Sequence, residues 1–199
     1  MFNEHVAIVR AIDNLSGKCA ALGIVVIDRD TLAVTEKKYF LCSDCIGENI
    51  PIDNLCPYEL EIKETGEEIT IIDRGDMEKA ICGWLKDHDI HEFLFYGGGT
   101  DKRCLSPVIK DLGIGWFDVS YIAAYQQRNP RLQMLGMPAN YFSGTGRLTC
   151  GYGLQDMYRM MTGSRTYERS YNAIEEAKDI LVIINMIGVP LSAYEKGKK

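Results

Sequence analysis

The sequence predicts a single α/β domain built on a mixed sheet, three antiparallel strands extended by parallel strands and flanked by helices. Two observations predict it. Three apolar runs separated by short polar turns open the chain, as in a meander, and from about residue 76 helical stretches alternate with strand-like runs, as in parallel additions to a sheet. The 199 residues suffice for one full core, and 46% hydrophobic against 25% charged residues is the balance of a folded rather than a disordered chain.

The opening runs are His5–Ile12, Cys19–Ile27 and Leu32–Cys42. The middle run is apolar on both faces and belongs in the centre of the sheet. The third alternates with Thr35, Lys37 and Lys38 and belongs nearer an edge. Residues 43–72 are acidic, are punctuated by Gly47, Pro51, Pro57 and Gly66, and keep no sustained period, which predicts a long loop or an irregular hairpin insertion. Asp76 suits the N-cap of a helix whose apolar stripe is Ala80, Ile81, Trp84 and Leu85. A strand at Glu92–Tyr96 follows, then a tight turn through Gly97–Thr100 into a helix over about 101–112. A further strand ends at Trp116-Phe117-Asp118. Beyond residue 119 the period is helical, interrupted by a loop from Asn129 to Leu148. The domain is expected over residues 1–190, with 191–199 a flexible tail.

Composition narrows the function classes. No run approaches the roughly 18 apolar residues of a membrane span, and the first residues form neither a basic region nor an apolar signal core, so a cytoplasmic protein is expected. Seven scattered cysteines fit reduced thiols better than a disulfide scaffold. Cys42, Cys45 and Cys56 offer three zinc thiolates without an evident fourth ligand. Charge is uneven: residues 1–100 carry 9 Lys/Arg against 19 Asp/Glu, whereas residues 101–170 carry 9 against 5. Tyrosines 121, 125, 141, 152, 158, 167 and 171 interleave with that basic stretch, a pattern that serves either base stacking or an amphipathic core. Arg128, Arg147 and Arg165 are the candidate contacts to single-stranded nucleic acid. Gly97-Gly98-Gly99 lacks the Gly-Lys-Ser/Thr ending of a P-loop and reads as a turn.

Three local patterns carry a family resemblance. Phe95–Asp101 resembles a strand, small-residue turn and aspartate opening a helix; Gly151–Met157 resembles a helix start with spaced leucines; Tyr171–Ala177 resembles a terminal motif in which a histidine stands five residues before an aspartate. With the order of elements, these are similar to the RNase H-like fold of the DEDDh 3′-to-5′ exonucleases. The resemblance implies two divalent metals, Mg²⁺ or Mn²⁺, held by four carboxylates beside a histidine base. Asp101 matches the third carboxylate, Glu176 falls at the fourth with one added methylene, and Tyr171 stands where the histidine should be. Arg10 and Ile12 fall on the first acidic pair; sliding the register by one puts Ala11 and Asp13 there instead. The first register is preferred because it keeps four apolar residues ahead of the motif.

These departures imply an exonuclease-like domain, catalytically impaired, that serves as a nucleic-acid or protein interaction module. The alternative is a metal-dependent exonuclease using Asp101, Glu176 and Asp13 as a non-standard metal set. In the impaired reading, Arg10 takes the metal's place and bridges the carboxylates; otherwise it is a strand-end surface residue. Glu176 sits at the edge of the stripe Ala173, Ala177, Ile180, Ile184 and Ile187, facing either the cleft or a solvated boundary.

Overall fold

A computed structural model describes residues 4–13, 19–45, 69–170 and 172–197. Six strands form one sheet in the order β4-β3-β2-β1-β5-β6. β1 (His5–Asp13), β2 (Cys19–Asp28) and β3 (Val34–Cys42) make the antiparallel meander. β5 (Glu92–Phe95) joins β1 in parallel, and β6 (Gly115–Asp118) joins β5 in parallel. β2 is buried from Ala20 to Ile27, as its apolar run requires of a central strand.

The segment expected as a loop or hairpin insertion ends instead in a strand. β4 (Ile69–Ile72) pairs in parallel with β3 from Tyr39↔Ile69 to Cys42↔Ile72 and takes the edge of the sheet. Four residues are too few to display a period, so only the pairing reveals them. Residues 46–68, with Cys56, lie outside the described residues. β3 begins two residues later than expected because Leu32, at φ 58, belongs to the preceding turn.

Helices cover both faces. α1 (Arg74–Asp87) has Asp73 rather than Asp76 at its N-cap position, with no capping bond from the side chain, and Asp76 falls in the first turn. α2 (Gly99–Leu112) follows β5, and α3 (Ser120–Ala123) follows β6. The expected loop 129–148 contains α4 (Pro130–Met134), capped by the Asn129 side chain, and a 3₁₀ turn at Ala139–Tyr141. α5 (Leu154–Thr162) and α6 (Ala173–Ile187) complete the set. Asn172 caps α6 by accepting from the Ile174 and Glu175 N–H groups.

Alternation along β1 divides the core. Val6, Ile8 and Ile12 pack with Ala173, Ala177, Ile180 and Ile184 of α6, whereas Ala7, Val9 and Ala11 pack with Ile81 and Leu85 of α1 and Leu105 and Val108 of α2. The start of the expected tail is packed: Leu191 and Tyr194 are buried within a 3₁₀ stretch, Leu191–Gly197. Among the described residues no helix is long and apolar enough to cross a membrane.

Candidate functional site: a carboxylate cleft closed by arginines

Three elements meet at the carboxyl end of β1. By alternation Arg10 shares the face of Ile8 and Ile12, towards α6. Its partner across β2 is Gly23, where an added Cβ would lie 2.4 Å from the backbone of Ala173. Only a residue without a side chain lets the first turn of α6 descend this far, and that descent brings Glu176 beside Arg10. From the other side, β5 ends near the same edge and a glycine turn opens α2. Gly98 stands at φ 38, and a Cβ there would meet the Phe95 ring at 2.0 Å. Asp101 is the third residue of that helix. Asp118, at the end of β6, fixes the turn by accepting from Gly97 N–H at 3.1 Å and Ser120 N–H at 2.9 Å.

Arg10 spans the two acids. Its Nη1 donates to Asp101 Oδ2 at 3.1 Å and its Nε donates to Glu176 Oε2 at 2.7 Å. The remaining oxygens are also taken. Ala11 N–H donates to Asp101 Oδ1 at 2.6 Å, and Arg169 grips Glu176 through Nε–Oε1 at 2.9 Å and Nη2–Oε2 at 2.8 Å. Both carboxylates are fully buried. Two guanidinium charges therefore balance two carboxylate charges, and all four carboxylate oxygens accept from protein N–H groups. Burial works against the charge on Arg10, but attraction to Asp101 and Glu176 outweighs it and raises the guanidinium pKa. For Asp101 burial prevails: its carboxyl is raised above the ordinary value although Arg10 and the Ala11 N–H pull it down.

The structure has the register with Arg10 and Ile12 facing the site. Ile12 is core. Asp13, a member of the alternative metal set, is instead ion-paired with Arg103 of α2. Tyr171 lies outside the described residues. A divalent metal does not fit this donor set, because the Arg10 guanidinium stands between Asp101 and Glu176 and all four of their oxygens already accept from protein N–H groups. Among the described residues no group of three or more His, Cys, Asp or Glu side chains is placed to hold a metal ion. That includes Cys42 and Cys45, which are buried, with the Cys45 thiol accepting from Arg74 at 3.4 Å.

Arg169 was not singled out by the sequence, where it is one cation of a basic stretch. It belongs to the segment 163–170, which straps α5 to α6. Arg159 Nε donates to the Tyr167 carbonyl at 2.7 Å, and Gln155 Oε1 accepts from Arg169 N–H at 3.3 Å. Tyr158 and Tyr167 stack with centroids 4.0 Å apart, and the Tyr167 hydroxyl donates to Asp179. Burial pushes the Asp179 carboxyl up to about 6, against the lowering effect of the Tyr167 hydrogen bond.

The same edge of the sheet carries an aromatic and basic surface, the usual place for a ligand in α/β folds. The Arg128 guanidinium lies 3.7 Å from the Tyr121 ring centre and 4.5 Å from that of Tyr125. Arg147 lies 4.4 Å over Tyr152, and it pairs with Tyr125 across an isolated β-bridge. The Tyr96 hydroxyl donates to the Tyr152 carbonyl at 2.9 Å, tying this surface to the turn before Asp101. Arg165 is exposed after α5 and takes no part in the stacking.

A mixed sheet covered on both faces by helices, with an acid from the helix after β5 and another from the terminal helix converging on β1, defines an α/β fold of the RNase H-like kind. No protein-family model matches the sequence, and no curated protein matches it. Solved structures do. A 3′-exonuclease described in 3′-end specific recognition of the histone mRNA stem-loop superposes with a TM-score of 0.53 at 10% identity, over 94% of this chain and 64% of that one. A full-length 3′-exonuclease gives 0.50 at 11%, over 98% of this chain and 63% of that one. The nuclease domain of 3′hExo, a DEDDh family member bound to rAMP, gives 0.48 at 11%, over 92% and 90%. The chain shares its fold with the first two of these 3′-exonucleases, and at these identities the likeness concerns the fold alone.

Proposed function

We propose that this chain is a catalytically impaired exonuclease-like module that binds single-stranded nucleic acid. The observation that carries the reading is Arg10, whose guanidinium stands between Asp101 and Glu176 at 3.1 and 2.7 Å. Where the resemblance implies metals, the protein supplies its own cation, and Arg169 adds a second. Positions 10 and 12 carry no acid, and every oxygen of Asp101 and Glu176 accepts from a protein N–H group, which supports loss of the metal chemistry. The binding half of the proposal rests on Arg128 and Arg147, each held against tyrosine rings beside the cleft. Arg128 spends one N–H on the Tyr121 carbonyl at 3.2 Å, but a guanidinium carries five and keeps others for phosphate, while the tyrosines offer faces for bases.

The test combines a nuclease assay with a binding titration on single-stranded oligonucleotides. Expected are no nucleotide release with Mg²⁺ or Mn²⁺ and a salt-sensitive affinity that falls with Arg128→Ala and Arg147→Ala. Each removed phosphate contact should lower the salt slope by about one. Release of nucleotides that disappears in Asp101→Ala would instead establish a metal-dependent exonuclease.

A further inference from the structure

Among the described cysteines, Cys42 and Cys45 are buried and Cys150 is exposed, whereas Cys19, Cys82 and Cys104 are half-buried. Cys19 opens β2, and Cys104 lies in α2 one turn after Asp101. Two ties bring these distant segments together. Cys19 is paired with Asp13 across β1 and β2, and Asp13 holds Arg103, the residue before Cys104, in an ion pair. Both cysteines also pack against the half of the core that contains Ala11, Ala20 and Leu105. There the two thiols meet: the Cys19 and Cys104 side chains are hydrogen-bonded to one another.

Two thiols in contact, each partly open to solvent, form a dithiol that can give up two electrons. The hydrogen bond to Cys104 and burial push the Cys19 thiol well above its ordinary pKa, so Cys19 stays protonated. That leaves the first attack on an oxidant to Cys104, since the thiolate is the nucleophile. A disulfide needs the sulfurs at about 2.05 Å, and rotation about the two Cα–Cβ bonds supplies the approach. Cys42 and Cys45 are shielded from an oxidant by their burial.

We propose that Cys19 and Cys104 are a reversible oxidation site, a dithiol that a peroxide converts into a disulfide between β2 and α2. Cys104, as thiolate, attacks one peroxide oxygen; the O–O bond breaks, hydroxide leaves, and Cys104 carries a sulfenic acid. The Cys19 sulfur then attacks the Cys104 sulfur. The S–S bond forms, the S–O bond breaks, and the Cys19 proton leaves with the hydroxyl group as water. In sum two thiols lose two electrons and two protons, and one hydrogen peroxide becomes two waters. The bond fastens α2, the helix that presents Asp101, to the sheet, and it requires neither nucleic acid nor a metal.

The test treats the reduced full chain with hydrogen peroxide in native buffer, then unfolds it, alkylates it and maps its peptides by mass spectrometry. Expected is that two of the seven thiols escape alkylation, that one peptide joins Cys19 to Cys104, and that dithiothreitol restores both thiols. The oxidised protein should melt about 10 °C above the reduced one, because the bond closes a long loop of the unfolded chain. Cys104→Ser should lose the crosslink and the rise in Tm. Cys19→Ser should stop at the Cys104 sulfenic acid, which dimedone traps. Full alkylation after peroxide, a bond between other cysteines such as Cys42 and Cys45, or a Cys19–Cys104 bond that forms only in urea would overturn the proposal.

Discussion

Replacing Arg10 with methionine keeps much of the side chain's length and removes its charge and its N–H donors. Asp101 then loses the 3.1 Å bond from Nη1 and retains only the Ala11 N–H, while Glu176 loses the 2.7 Å bond from Nε and retains the paired grip of Arg169. Removing one partner of a buried ion pair costs about 3–5 kcal/mol, because an uncompensated charge stays behind. The grip of Arg169 on Glu176 places the expected loss near the lower end, about 3 kcal/mol at pH 7.5. The loss should also depend on pH. Burial already holds the Asp101 carboxyl above its ordinary value, and removal of Arg10 raises it further. A folded-state pKa above the unfolded one contributes stability that is present below the unfolded pKa and is lost as pH rises through the folded value. The variant should therefore lie close to wild type near pH 4 and fall away from it towards pH 7.5. Urea unfolding across that range measures both the size and the slope. A deficit below about 1 kcal/mol at pH 7.5, unchanged at pH 4, would refute the view that Arg10 neutralises a buried acid pair.

Other predictions concern the same cleft and its supports. Arg10→Asp exchanges the bridging cation for a third carboxylate and should create Mn²⁺ affinity absent from wild type. At one hundred times its dissociation constant the ion would stabilise the variant by about 2.7 kcal/mol, and a thermal melt with and without Mn²⁺ reads it. Asp179→Asn keeps an acceptor for the Tyr167 hydroxyl and removes a carboxyl pushed up to about 6. The wild-type acid loses stability as pH rises from about 4 through 6, so the substitution should gain roughly 1 kcal/mol at pH 8 relative to pH 4, after allowance for the solvent exposure of the group. Matched denaturation curves at the two pH values decide it, and a pH-independent difference would count against the burial argument. Gly23→Ala should cost about 1–3 kcal/mol, because the new methyl meets the Ala173 backbone at 2.4 Å and displaces the turn that carries Glu176.

Much of the fold was legible because it rests on long periodic runs. The meander could be read from three apolar stretches, and the four apolar residues ahead of the first motif favoured the register that places Arg10 in it. Asp101 and Glu176 were singled out by the family resemblance, through a glycine turn into a helix and the pattern at Tyr171–Ala177, whereas the apolar stripe alone left Glu176 open between cleft and solvent. What stayed hidden depends on contacts rather than on period. β4 is four residues long and is defined by its parallel pairing with β3. Arg169 reaches Glu176 from a strap with no regular period, so nothing in its neighbours marks it out from Arg159 or Arg165. Asp118 read only as a strand end, and its role in holding Gly97 and Ser120 needed the fold.

The balance of charge in the cleft affects how a polyanion meets this surface. Two acids held by nothing would leave a net negative charge at the carboxyl end of β1 and repel phosphates at long range. Locked to Arg10 and Arg169, they form instead a compact neutral multipole, whose field dies away faster with distance than that of a net charge. Beyond a Debye length of about 8 Å at physiological salt, the quartet neither attracts nor repels. In the binding role proposed above, long-range steering would fall to the arginines on the tyrosine rings, and a strand would meet no electrostatic barrier of the kind an acid-lined groove sets.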